Sequence, residues 1–277
     1  MSMSIWNLEA TYNSNIEIDE ASHYTALLSE LYDDSWMGKI TQAEVDFFVS
    51  YIQEQRALEI ASGTGRISRQ LLEKGCDLYG LEKSKWFLEK LQSNIPTQYW
   101  NRFILWDAMK VPYPVADQTF NCIIVPFSSF TIIHDKCKDL GSNPAFHEFN
   151  RLLKPGGYVI INDYRINAFE RRWLDEKPPP TIKKHQHPVH GEVLEEMYNE
   201  FKIVPNRVLS EQIVRYRHTK MVRVKDQEIL EEHFEIVPAW HPEDYPILGN
   251  DAGFKYIKGE ICDFHDGPSM NHLFCKL

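Results

Sequence analysis

Three carboxylates in the first half of this chain sit at or just beyond the end of a short apolar run. They are Glu59 in "RALEI", Glu82 in "CDLYGLE" and Asp107 directly after "RFILW". Between the first two stands "ASGTGR", with Gly63 and Gly65. Lacking Cβ atoms, these glycines permit positive φ and close approach of a ligand to the backbone. A helix opening just after them would offer unbonded N–H groups. An acid at the position of Glu82 suits ribose hydroxyls, and one at Asp107 can accept a hydrogen bond from an exocyclic amine such as that of adenine. Glu59, next to the turn, would repel a pyrophosphate and suits a ligand bearing a cation. A nicotinamide dinucleotide remains a competing ligand, because Gly63-x-Gly65 is followed by the small Ser68 and Glu82 falls where such folds place their ribose-binding acid.

The elements that must position these residues follow from periodicity. Ala21–Leu31 and Gln42–Gln55 carry apolar residues at helical spacing. Then "RALEI", "CDLYGLE", "RFILW", "NCIIVPF" and "YVIINDY" read as strands, with helices over Ser68–Lys74, Trp86–Leu91 and Asn143–Leu153 between them. Alternation of this kind predicts an α/β architecture, a parallel sheet covered by helices. The rhythm changes after "EKPPP". "HQHPVHG" reads as loop, and the stretch from about 192 to 237 alternates in the manner of antiparallel strands. A last helix ends at Gly253, and "KYIKGEICDF" and "NHLFCKL" read as closing strands.

The chain has 277 residues, 43% hydrophobic and 25% charged, which is ample for a sizeable core. Its net charge of -10 opposes polyanions, so no nucleic-acid partner is expected. No apolar run approaches the roughly 20 residues that span a bilayer, and "MSMSIWNLEA" has no secretory pattern. The five scattered cysteines form no CxxC pair. A reducing, cytoplasmic setting without structural zinc or a membrane partner is expected. The histidines of "HQHPVH" are interrupted by Pro188 and lack clustered acids, so no metal is assigned to them.

Taken together, "LEIASGTGR", "LEKS", "WDAM", "VADQTFNCIIVPFSSF" and "FNRLLKPGGYVIIND" resemble the successive motifs of class I S-adenosylmethionine-dependent methyltransferases. The ending "AGFKYIKGEICDFHDGP" is similar to that of the small-molecule members that carry an antiparallel β insertion. The resemblance runs from about Tyr32 to the C-terminus. It implies a Rossmann-like fold with a mostly parallel seven-stranded sheet, helices on both faces and a small antiparallel insertion. It implies S-adenosyl-L-methionine as cofactor. Carried over by position, Glu59, Ala61, Gly63 and Gly65 would line its methionine half and Glu82 its ribose. Asp107 and Ala108 would border adenine, with Lys83 beside them, and Phe127 and Ser128 would lie near the methyl group. Tyr32 would cover the cofactor. Ala61 departs from the family, which commonly has glycine there, and "KSKWFL" replaces a usual run of small apolar residues.

The implied activity is methyl transfer to an amine or hydroxyl of a small molecule, by a monomer or homodimer. A nicotinamide oxidoreductase, or a protein that binds the cofactor without transferring methyl, are the alternatives. His134, in "SSFTIIHD" after the fourth strand, is the first candidate for a base, and Tyr164, after the fifth, could orient an acceptor. The expected organisation is a helical cap over the active site (1–55), the cofactor-binding core (56–170), a linker and antiparallel insertion (171–238) and a closing helix with strands (239–277).

Overall fold

A computed structural model of the chain describes residues 5–6, 24–36, 40–133, 144–164, 171–206, 209–239, 241–262 and 269–277. Two helices, α1 (Ala26–Trp36) and α2 (Gln42–Ile52), precede a sheet of strands and helices in alternation. In order these are β1 (Arg56–Ile60), α3 (Arg66–Glu73), β2 (Asp77–Glu82), α4 (Lys85–Asn94), β3 (Phe103–Leu105), β4 (Phe120–Val125), α5 (Pro144–Leu152) and β5 (Leu153–Tyr164). Four strands then form a sheet of their own: β6 (Thr181–His187), β7 (Gly191–Asn206), β8 (Ser210–Arg223) and β9 (Glu228–Ala239). The helix α6 (Asp244–Asp251) and strands β10 (Phe254–Cys262) and β11 (Ser269–Lys276) close the chain.

The larger sheet has seven strands in the order β10-β11-β5-β4-β1-β2-β3. Its β3 to β5 half is parallel, and β11 runs antiparallel to both β5 and β10. The strand order reverses between β1 and β4, the topological switch point at which open α/β sheets bind ligands.

Alternate residues of the central strands feed two cores. Leu58 and Ile60 of β1 join Phe146 and Phe149 of α5, Tyr245 of α6 and Phe274 of β11. Ala57 of the same strand joins Val45, Phe48 and Ile52 of α2 with Leu71 of α3. Because both faces are covered, these strands are apolar throughout rather than alternating. Burying a side chain such as Phe48 completely contributes roughly 1.5–3 kcal/mol.

The expected strand sequence and seven-stranded sheet are therefore present, with two corrections. The segment read as a loop, "HQHPVHG", begins inside β6, because His185 and His187 face inward and find carboxylate partners. Thr181–His187 thus adds a strand ahead of the alternating stretch. The "KPGG" expected to end a helix lies within β5. Within residues 1–55, α2 packs into the core beneath β1, and α1 packs between Phe87 and the second sheet. No helix of the described residues is long and apolar enough to cross a membrane.

Candidate active site

The turn after β1 is built by three left-handed residues in alternation, Ala61 (φ 56°), Gly63 (φ 60°) and Gly65 (φ 86°). Ala61 adopts this conformation despite its Cβ, at a cost of roughly 1–2 kcal/mol. The turn is tied back by Ser62 N–H donating to Leu81 O (2.9 Å) and Gly65 N–H to Ser62 O (3.0 Å). The two glycines serve different ends. A Cβ on Gly65 would lie 3.0 Å from Leu91 Cγ, so that glycine lets α3 approach α4. A Cβ on Gly63 would meet no atom closer than 4.0 Å, and Gly63 instead borders a cavity of about 470 Å³.

Glu82, last in β2, enters that cavity with both oxygens already oriented. Gly63 N–H donates to Oε2 and Ser84 N–H to Oε1, each at 2.8 Å. A carboxylate has about four acceptor sites, so two remain for vicinal hydroxyls. Burial raises the Glu82 pKa, and the backbone donors work against that rise. Ser84 then caps α4, accepting from Phe87 N–H (3.3 Å) while donating to Tyr24 O (2.7 Å). The "LEKS" segment thus binds the start of α1 to the tip of β2. Asp107 and Ala108 line the cavity beyond β3, with Asp107 Oδ1 accepting from Met109 N–H at 2.9 Å. At the tip of β4, Phe127 (φ 55°) and Ser128 (φ 57°) are consecutive left-handed residues without being glycine. Asn162 holds them there: Phe127 N–H donates to its Oδ1 (3.2 Å) and Ser128 N–H to its backbone O (2.8 Å). Backbone strain of this kind gathers at sites that must hold a fixed geometry.

Glu59 does not reach the cavity. It lies beneath the turn, 1% exposed, where Ser68 Oγ donates to Oε2 at 2.5 Å. Burial pushes its carboxyl up to about 8, while Ser68 and the Arg66 guanidinium pull the other way. Arg66 makes a buried two-pronged pair with Glu44 of α2 (2.9 and 2.7 Å) and lies 4.8 Å from the Phe127 ring centre. The first-strand acid therefore supports the turn from below. Helix α3 returns across β1 and covers it, which the strand-end position alone did not reveal.

The opposite wall comes from the second sheet and α1. Thr25 Oγ1 donates to Glu231 Oε2 (2.6 Å) and His187 Nε2 pairs with Glu30 (2.9 Å), clamping α1 to the sheet's inner face. Leu27, Leu28 and Leu31 of α1 pack against Val193 and Met221 on one side and Phe87 of α4 on the other. Tyr24 and Tyr32 meet Phe87 edge-on (5.3 and 5.1 Å) and line the cavity beside Lys83. From the sheet itself Lys183, His185, Glu195, Met197, Arg215 and Arg217 line the same space. His185 Nε2 lies 3.1 Å from Glu195 Oε2.

Of the residues singled out from sequence, Ala61, Gly63, Glu82, Lys83, Asp107, Ala108, Phe127, Ser128 and Tyr32 line one cavity. Gly65 and Glu59 stand behind it. His134 lies outside the described residues, and for Tyr164 only the backbone, at the end of β5, is described. The cations and the carboxylate of the second sheet were missed. Their spacing (183 and 185, 195 and 197, 215 and 217) is the period-two signature of one strand face, but it points to a cavity only once the register is known. Among the described residues no group of three His, Cys, Asp or Glu could hold a metal ion.

The strand order, the glycine turn and the acids at the tips of β2 and β3 together define a nucleoside-binding α/β domain. Residues 57–157 match the methyltransferase-domain family model. The chain is 27% identical over 150 residues to an uncharacterized methyltransferase of Oceanobacillus iheyensis, a match covering 51% of this chain and 66% of that protein. It is 27% identical over 157 residues to a glycine/sarcosine N-methyltransferase of Parasynechococcus marenigrum, covering 52% of this chain and 53% of that one. The chain thus spans about half to two thirds of these curated relatives. Its fold is similar to that of a sugar N-methyltransferase from Streptoalloteichus, with a TM-score of 0.62 at 16% identity over 89% of this chain and 93% of that one. These likenesses support a class I S-adenosylmethionine-dependent methyltransferase domain over residues 57–157, with S-adenosylmethionine as its cofactor.

Proposed function

We propose that this protein transfers the methyl group of S-adenosylmethionine to an amine or hydroxyl of a small molecule held between the tip of β4 and the second sheet. One observation carries the reading: a single cavity is bordered by the glycine turn, Glu82 and Asp107 on one side and by a polar, charged sheet face on the other. The residues present suit the cofactor. Gly63 leaves open the space a side chain would fill, Glu82 keeps acceptor capacity for two hydroxyls, and Asp107 offers a carboxylate to an exocyclic amine. When bound, the cofactor supplies a methyl carbon on positively charged sulfur, to which the acceptor's lone pair bonds as the carbon–sulfur bond breaks and the acceptor sheds a proton.

The chain's own contribution is then placement, exclusion of water and proton removal. Holding two reactants in line is worth about 7–11 kcal/mol in favourable cases. Helix α1 with Tyr24, Leu28, Leu31 and Tyr32 shields the cavity, and the strained Phe127–Ser128 tip fixes its floor. His185, oriented by the buried Glu195, takes the proton in this reading. Relatives named as glycine/sarcosine and sugar N-methyltransferases favour a small-molecule amine among the acceptors.

The test is calorimetry with S-adenosylhomocysteine followed by a methyl-release assay over pooled metabolites. Binding with release supports the reading; binding without release against any pool defeats methyl transfer. In the same assay His185→Gln should lower turnover about 100-fold with unchanged S-adenosylhomocysteine affinity. Undiminished turnover removes His185 as the base.

A further inference from the structure

The inner face of the second sheet changes character along its strands. Val193 and Met221 are fully buried against α1, as expected of a sheet packed on a helix. Moving toward the cavity, that same face carries Lys183, Glu195, Arg215 and Arg217. In register, Lys183 stands opposite Glu195, and Arg217 opposite both Asn199 and Glu235.

Arg217 makes limited use of its own donors within the protein. Glu195 holds His185 at 3.1 Å and Lys183 at 3.8 Å. Arg217 Nη1 reaches Glu235 at 3.4 Å, the outer limit of a hydrogen bond, and Arg217 Nε is buried with no hydrogen-bond partner. Three cations and one carboxylate of this sheet therefore line the cavity, in a chain whose net charge is -10. They share this cavity wall with the strand tips that bear Glu82 and Asp107. A guanidinium presents its Nε and Nη donors as a planar fork that matches a carboxylate or phosphate. Arg215 and Arg217, two residues apart on β8, have Cα positions about 7 Å apart and share one face.

We propose that the methyl acceptor bears an anionic group, a carboxylate or phosphate, which Arg215 and Arg217 hold against the second sheet. The proposal rests on the reading of this cavity as the shared site of cofactor and acceptor. Anchoring the anion there leaves the remainder of the acceptor facing Ser128 and the His185–Glu195 pair, so charge selects the substrate while the strand tips position it.

Inorganic phosphate and acetate provide the test, titrated calorimetrically into protein saturated with S-adenosylhomocysteine. Wild type should bind at least one of them saturably. Arg215→Gln/Arg217→Gln should weaken that binding at least about tenfold, and Arg217→Lys should retain part of it. Arg217→Gln/Glu235→Gln, which strands no buried carboxylate, should weaken it as well. S-adenosylhomocysteine affinity should be the same in every variant. Equal anion binding in wild type and Arg215→Gln/Arg217→Gln, or no saturable anion binding by wild type, overturns the proposal. Failure of wild type to bind S-adenosylhomocysteine would overturn the underlying reading of the cavity instead.

Discussion

The cofactor-side wall at the tips of β1, β2 and β4 is held by backbone geometry, whereas the wall on β6, β7 and β8 is held by side-chain charge. On the first, left-handed residues at 61, 63, 127 and 128 set the surface, with Gly65 behind them, and carboxylates are anchored by main-chain N–H groups. On the second, the backbone is regular antiparallel sheet, and what faces the cavity is whatever side chain the register delivers. A wall made from backbone tolerates little substitution, because each conformation is already strained or close-packed. A wall made from alternating side chains can change its ligand by exchanging residues without altering the fold. The fixed wall thus suits a fixed cofactor, and the variable one suits the acceptor proposed above.

That contrast can be broken in stages. The largest effect is expected at the buried Glu44–Arg66 pair beneath the cofactor-side turn. Glu44→Ala leaves the guanidinium buried and uncompensated and should cost about 3–5 kcal/mol in urea unfolding. A loss under about 1 kcal/mol would mean that the turn does not depend on α2. Next, Gly63→Val puts a branched side chain at φ 60° on the cavity edge. It should weaken S-adenosylhomocysteine binding on the order of 100-fold, about 2.7 kcal/mol, while leaving phosphate or acetate binding on the opposite wall intact. Near-normal cofactor affinity would show that the turn is not the binding surface.

Glu59 sharpens the comparison through pH. Its folded pKa of about 8 lies above its ordinary 4.5, so the folded chain holds a proton that the unfolded chain releases between those values. This contribution to stability is fully present below about pH 4.5 and is lost as pH rises through 8. Glu59→Gln should flatten that decline and stabilise the protein at pH 9 by about 2 kcal/mol; a variant that loses stability with the wild-type slope would contradict the buried, protonated assignment. The smallest effect is expected from Asp107→Ala, a weakening of S-adenosylhomocysteine binding by about 1 kcal/mol. Unchanged affinity would mean that Asp107 borders the cavity without contacting the nucleoside.

Much of the cofactor side was legible before the fold was known, because its chemistry is written in neighbouring residues. A strand ending at Ile60, the Gly63-x-Gly65 turn and the acid at 82 all lie within one β–α–β passage, where local periodicity and turn chemistry decide the outcome. The sequence by itself therefore determined the α/β core, the turn and the acids at two strand tips. Three things waited for the tertiary structure. The fate of Glu59 depended on α3 folding back over β1, and the place of His185 and His187 depended on carboxylates at 195 and 30. The charged wall required β6, β7 and β8 to pair in a particular register, since a slip of one residue would turn Arg215 and Arg217 to the other face. Contacts between residues so far apart in the chain are selected by packing of the whole molecule, and no local pattern encodes them.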